Sequence, residues 1–183
     1  MTSERTMHDR NTPLFGLAGW AAYGSAGVSA LGVVCIVLLY VGLITSTKAL
    51  LIFGPINDLC VAIQYLLALP VLVAVQRLTQ PQSPRLTVFA STLGALGIAG
   101  IIVFQALFLA GLMSFATQLP FASASVLTIG AWILFAGAMG RRGNVIASGV
   151  TVDILAALYF GYPVWAYRMG QQLVARTTGP TAA

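Results

Sequence analysis

Two acidic residues stand where chemistry would be costly to place. Of the four carboxylates in the chain, Asp58 and Asp153 interrupt long apolar runs. An ionisable side chain in hydrocarbon costs at least about 2.5 kcal/mol unless it is paired or hydrated, so each marks a packing contact or a site. Asp153 lies nine residues into a run that starts near residue 144, which is about 13 Å deep at the rise of an α-helix. Counted from the opposite surface, Gln64 and Gln105 fall about 12–14 Å deep in the second and third runs. The three groups therefore share a depth near the midplane, and Tyr65 and Tyr159 are placed to add hydroxyls.

Two uses fit this pattern. Gln64, Gln105 and Asp153 can hydrogen-bond across helices as packing glue, at about 1 kcal/mol per bond. Alternatively, Asp153 is a protonatable or ligand-binding group in a small polar pocket. Asp58 reads differently, because it follows Phe53-Gly54-Pro55, a plausible helix start. In a first turn its charge opposes the positive helix end and caps free N–H groups, with Asn57 assisting.

Catalytic arrangements are missing from the sequence. There is no GxSxG elbow, no phosphate-binding glycine loop and no metal-spaced cluster of acids or histidines. The single histidine, His8, sits in the polar N-terminal segment, and the two cysteines, Cys35 and Cys60, fall in apolar runs without a CxxC pairing. Thiols so placed pack as small hydrophobes and are expected to be unpaired. Ser123, Ser125 and Thr128 are expected to bond back to their own helix. The expectation is a protein that is no enzyme and carries no metal or cofactor.

The elements that must position these groups follow from composition. Hydrophobic residues make up 58% of the 183 residues and charged residues only 7%, with a mean hydropathy of +0.92. A soluble fold would expose too much apolar surface, whereas a bilayer takes one span per roughly 20 apolar residues. The fold class expected is all-α, a polytopic transmembrane helix bundle of about five spans, near residues 24–45, 55–76, 86–113, 121–139 and 144–167. Residues 1–13 read as a polar N-terminal tail, 14–169 as the bundle and 170–183 as a polar C-terminal tail. Residues 14–23, with Phe15, Trp20 and Tyr23, suit the headgroup level, although the whole run from 14 can equally form one tilted helix. Pro70 is expected to kink the second span without breaking it. Tyr159, Tyr162, Trp165 and Tyr167 resemble an aromatic belt at one interface.

The net charge of +5 comes from eight arginines and Lys48, set near expected helix ends and not gathered on one solvated face, so nucleic acid is no expected partner. With five spans, Arg5, Arg10, Arg77, Arg85, Arg141 and Arg142 lie on the N-terminal side, and Lys48, Arg168 and Arg176 on the other. The positive-inside rule then sets the N-terminus in the cytoplasm and the C-terminus outside. Gly94, Gly97 and Gly100 form a small-residue face for a tight helix contact, including contact with a partner membrane subunit or a second copy. Membrane lipids are the remaining partner.

The segment from Phe53 through Asp58-Leu59 to Gln64, with Val75-Gln76-Arg77-Leu78 at its end, resembles an uncharacterised bacterial family of multi-pass membrane proteins of unknown function. Gly130-Ala131-Trp132, ahead of a short basic turn and another apolar run, extends the resemblance to the last two spans. It implies a bundle in a bacterial cytoplasmic membrane and no activity. Residues alone leave a non-enzymatic bundle binding a lipophilic ligand or a membrane subunit, and a small proton-linked transporter or channel using Asp153.

Overall fold

The computed structural model of the chain describes residues 2–45, 48–146 and 161–178, which hold five α-helices and no strand. They are α1 (Thr2–Thr45), α2 (Lys48–Thr79), α3 (Pro84–Leu109), α4 (Phe115–Arg142) and α5 (Tyr162–Thr178). Within the first four, stretches of 31, 29, 26 and 28 residues are long and apolar enough to cross a membrane. The fold is thus the expected all-helical one. Asp153 and Tyr159 lie outside the described residues.

Helix α2 is the hub: it packs against α1, α3 and α4, while α5 packs on α1 and α4 on α3. Pro55 and Pro70 both sit inside α2, and Pro13 inside α1. Each proline frees one carbonyl, which a continuous apolar helix held by its neighbours can tolerate. Consequently α1 is not divided near residue 24, and helix begins at Thr2 within the segment read as a polar tail. Residues 14–23 continue the first helix, meeting α5 at Gly16, Gly19 and Tyr23, and Phe15, Ala18 and Ala22 are buried.

Close backbone approach sets the two tightest crossings. A Cβ on Gly97 would meet Ile129 Cγ1 and the Ser125 carbonyl oxygen, each at 2.7 Å, and one on Gly94 would meet the Trp132 ring at 2.7 Å. The small-residue face of α3 is therefore filled by α4 of the same chain. It is not free for a partner subunit or a second copy, which corrects that part of the expectation. At the other crossing, a Cβ on Gly19 would lie 2.6 Å from Val174 Cγ2, and one on Gly170 would lie 3.1 Å from the Gly19 carbonyl.

Helix α5 changes the topology. Its Tyr162 hydroxyl lies 2.9 Å from Ser25 Oγ, midway along α1, whereas Val174 and Thr177 meet Gly19 and Gly16. It therefore runs from mid-bundle back toward the N-terminal end of α1. The chain leaves α4 at that same end, where Asn144 takes a left-handed φ of 52° and the N–H groups of Val145 and Ile146 return to the Gly140 carbonyl. Arg176 donates from Nη2 to the Val145 carbonyl at 2.7 Å, tying the exit from α4 to the last turn of α5. So α5 is no full crossing that ends near residue 167 on the far side. Helix also continues through residues 170–178, read as a polar tail.

The charges follow this geometry. Arg77, Arg141, Arg142 and Arg176 occupy last turns and Arg85 a first turn, all at the end of the bundle that holds the start of α1. Lys48, at the start of α2, is at the other end. The aromatic belt is divided as well, because Tyr162 and Trp165 are enclosed in the bundle while Tyr167 is exposed.

Two outcomes are expected. In protein whose native cysteines are replaced, single cysteines at Gln82 and Ala175 should react alike with an impermeant thiol reagent in intact cells and opposite to one at Leu112. Reaction of Ala175→Cys together with Leu112→Cys would restore the far-side C-terminus. Gly97→Leu should destabilise the purified protein by about 1–3 kcal/mol through overpacking against a fixed carbonyl. Leu96→Phe, on an exposed position of the same helix, should leave its unfolding midpoint in detergent unchanged.

Candidate functional site

The candidate polar side chains among the described residues fall in two layers of the bundle. The first lies near the end opposite the arginines, one turn from the end of α3. Gln105 donates from Nε2 to Asp58 Oδ1 at 3.1 Å and to the Asp58 carbonyl at 3.4 Å. Gln118, in the first turn of α4, donates in turn from Nε2 to Gln105 Oε1. A carboxylate in α2 is thus held by two amides in series, and no basic side chain contacts it among the described residues. Asn57 Oδ1 is enclosed beside it without a partner.

This arrangement overturns the capping role of Asp58. Helix α2 begins at Lys48 and passes through Gly54 and Pro55, so Asp58 belongs to the helix interior, where preceding carbonyls already engage the backbone N–H groups. Its partner is a side chain from α3. Gln118 carries half of this contact and was not among the sequence candidates, since it fell within an expected turn. A depth argument finds it: Gln105 stands four residues before the end of α3, and Gln118 three residues after the start of α4. Antiparallel neighbours joined by a short turn bring such positions level.

The second layer is at mid-bundle. Ser25 donates from Oγ to the Gln64 carbonyl at 2.9 Å and contacts the Tyr162 hydroxyl. Ser25 has one hydroxyl proton and spends it on Gln64, so Tyr162 is the donor to Ser25. The Tyr65 ring stands 5.8 Å from that of Tyr162, Tyr162 stands 5.8 Å from Trp165, and Trp165 stands 5.7 Å from Trp132. These rings bring α2, α4 and α5 together at this level. Ser25, Tyr162, Trp132 and Trp165 are further residues that the sequence reading left outside the site.

Gln64 is the anomaly of this layer. Its side chain is fully enclosed, and among the described residues neither its amide oxygen nor its amide nitrogen has a partner. Ser29 Oγ and the indole nitrogens of Trp132 and Trp165 are likewise enclosed and without a partner among the described residues. Gln64 is six residues from Asp58, about 9 Å along α2, so Gln64 and Gln105 do not share one layer. The third expected member, Asp153, lies outside the described residues, as does Tyr159. Tyr65 joins Gln64 at mid-bundle, while Asn57 and Asp58 belong with Gln105.

Among the described residues no three potential ligands from His, Cys, Asp and Glu come together to hold a metal. Cys35 and Cys60 are free and buried. Ser125 and Thr128 do bond back to carbonyls of their own helix, at 2.9 and 2.8 Å. No known protein family, curated protein or solved structure matches the chain.

The outer layer makes a direct prediction. Gln105→Leu strips partners from both Asp58 and Gln118, and should cost about 1–3 kcal/mol. Asp58→Asn keeps an acceptor for Gln105 and should stay within about 1 kcal/mol of the parent. Reversible unfolding in mixed micelles measures both.

Proposed function

We propose that the protein is a non-enzymatic membrane bundle that binds a lipophilic ligand through a polar head group at Gln64. The observation that carries this reading is the enclosed amide, with both of its polar atoms unpartnered among the described residues. An unmet amide in low dielectric costs about 1–3 kcal/mol. A ligand group presenting an adjacent acceptor and donor, such as a hydroxyl beside a carbonyl, would meet both atoms at once. The aromatic walls from Tyr65, Tyr162 and Trp165 suit the apolar body of such a ligand. The turns between α2 and α3 and between α3 and α4 are short, so these connections offer little surface for recognition outside the membrane.

The arginine-rich end supports a cytoplasmic location for the start of α1. With α5 returning to that end, Arg168 and Arg176 join the six bases first counted there, against Lys48 alone at the other. The positive-inside rule favours this orientation more strongly than the five-span count did. The resemblance of the Phe53 to Leu78 segment to bacterial multi-pass proteins supports a bacterial cytoplasmic membrane.

A second reading is a small proton-linked transporter or channel using Asp153. It draws on the other intramembrane carboxylate, Asp58, which neutral amides hold in place of a cation.

Extraction and mass spectrometry of protein purified in mild detergent test the first reading. The wild type should carry a stoichiometric lipophilic molecule that Gln64→Leu loses while keeping its fold. If the wild type carries none and Gln64→Leu melts higher, the amide is only a packing defect and the reading fails. If flux of protons into vesicles requires Asp153 and no molecule is bound, the second reading replaces it.

A further inference from the structure

The outer surface of α1 and α5 holds a feature that the interior amide does not explain. An open groove of about 440 Å³ runs between the two helices, lined by Tyr23, Ala26, Gly27 and Ala30 from α1 and by Pro163, Val164 and Tyr167 from α5. The α1 residues recur at spacings of three and four, so they form one stripe along that helix. From Tyr23 to Ala30 the stripe spans about 10 Å. A Cβ at Gly27 would meet nothing within 4 Å, which leaves the floor of the groove open.

One end of the groove is chemically distinct. On α5, Arg168 stands four residues after Val164 and Gln171 four after Tyr167, so both prolong the groove-lining face by one turn toward the arginine-rich end. Both are exposed, and Arg168 makes no ion pair among the described residues. Trp20 flanks the same end from α1, edge-on to Tyr23 at 5.7 Å, and Tyr23 stands 5.4 Å from Tyr167. Trp20, Tyr23 and Tyr167 are amphipathic rings of the kind that collect toward a headgroup region, and Arg168 follows Tyr167 on the same helix. Beyond them the groove wall is apolar and leads deeper along α1, past the level of Ser25 and Tyr162 to Gly27 and Ala30.

We propose that this groove is a binding site for one anionic glycerophospholipid, its acyl chain along Gly27 and Ala30 and its phosphate on Arg168. Charge selects the occupant. A basic side chain at the membrane surface favours an anionic headgroup over a zwitterionic one by about five-fold. The fixed, planar guanidinium suits the paired oxygens of a phosphate. The site is separate from the enclosed amide at Gln64 and stands whether or not that amide binds a ligand.

The test is native mass spectrometry of delipidated full-length protein, titrated with phosphatidylglycerol and with phosphatidylcholine. Wild type should retain one phosphatidylglycerol with about a five-fold preference over phosphatidylcholine. Arg168→Gln should remove the preference and leave weak binding of either lipid. Gly27→Leu, whose Cβ would meet nothing within 4 Å, should abolish retention of both, with the melting temperature unchanged. Gln64→Leu should bind phosphatidylglycerol as wild type does, which separates this site from the interior one. Equal retention of the two lipids by wild type would overturn the proposal. So would full retention in Gly27→Leu, which would leave only adsorption of headgroups, or cross-linking of Val164→Cys between two copies, which would give the groove to a second chain.

Discussion

A polar group enclosed in a bilayer has no water to return to, and that constraint orders the interior of this bundle. Where the helices supply a partner, the result is a stiff contact: Gln118, Gln105 and Asp58 join α4, α3 and α2 near one end through hydrogen bonds in series. Where they supply none, the group is left with its desolvation cost. Gln64 sits in that second condition at mid-bundle, on the helix that contacts three of the others. The same helix thus carries a carboxylate bonded to its neighbour at Asp58 and, about two turns away, an amide at Gln64 with no partner among the described residues.

Hydrophobic burial does not drive helices together inside lipid, so close backbone contact must do more of the work. Gly94 and Gly97 bring α3 onto α4, and Gly19 and Gly170 bring α1 onto α5. At both crossings a methyl group would collide with a neighbour's backbone or ring. The two pairs are then joined through α2, whose buried Val71, Leu72 and Val75 give it an apolar face of ordinary size. Small residues therefore define the pairs, and larger ones assemble the pairs into a bundle.

The fold class was legible because four long apolar stretches leave no other solution for a chain of this composition. What hydropathy could not separate was an apolar residue facing lipid from one facing another helix. Tyr162 and Trp165 read as an interfacial belt, yet both are enclosed against Tyr65 and Trp132. The run into α5 reads as a full span for the same reason, although α5 starts level with Ser25 and ends beside Gly16. Depth counted from assumed helix ends failed in a related way. Because α2 begins seven residues before Pro55, Asp58 moved out of the first turn. Gln105 also moved closer to a surface, because α3 ends at Leu109. Pairing Gln105 with Gln118 required knowing where the α3–α4 turn falls.

The position of Ser25 shows how these features bear on one another. Its hydroxyl proton goes to the Gln64 carbonyl, and its lone pairs receive the Tyr162 hydroxyl, so one side chain fastens α2 and α5 to α1 at a single level. Ala26, its neighbour in sequence, lines the lipid-facing groove. The wall between that groove and the enclosed amide is therefore one helix thick, and at this level it is fixed by two hydrogen bonds to one oxygen. A serine suits the post because it is small enough to stay within the α1–α2 contact and can donate and accept at once. Alanine would fit the space but would release both bonds, and threonine would add a methyl group to a position that is already fully buried. The close fit at Ser25 keeps α5 level with the amide layer, and that registry allows a helix of 17 residues to serve as a wall of the interior and as one bank of the groove.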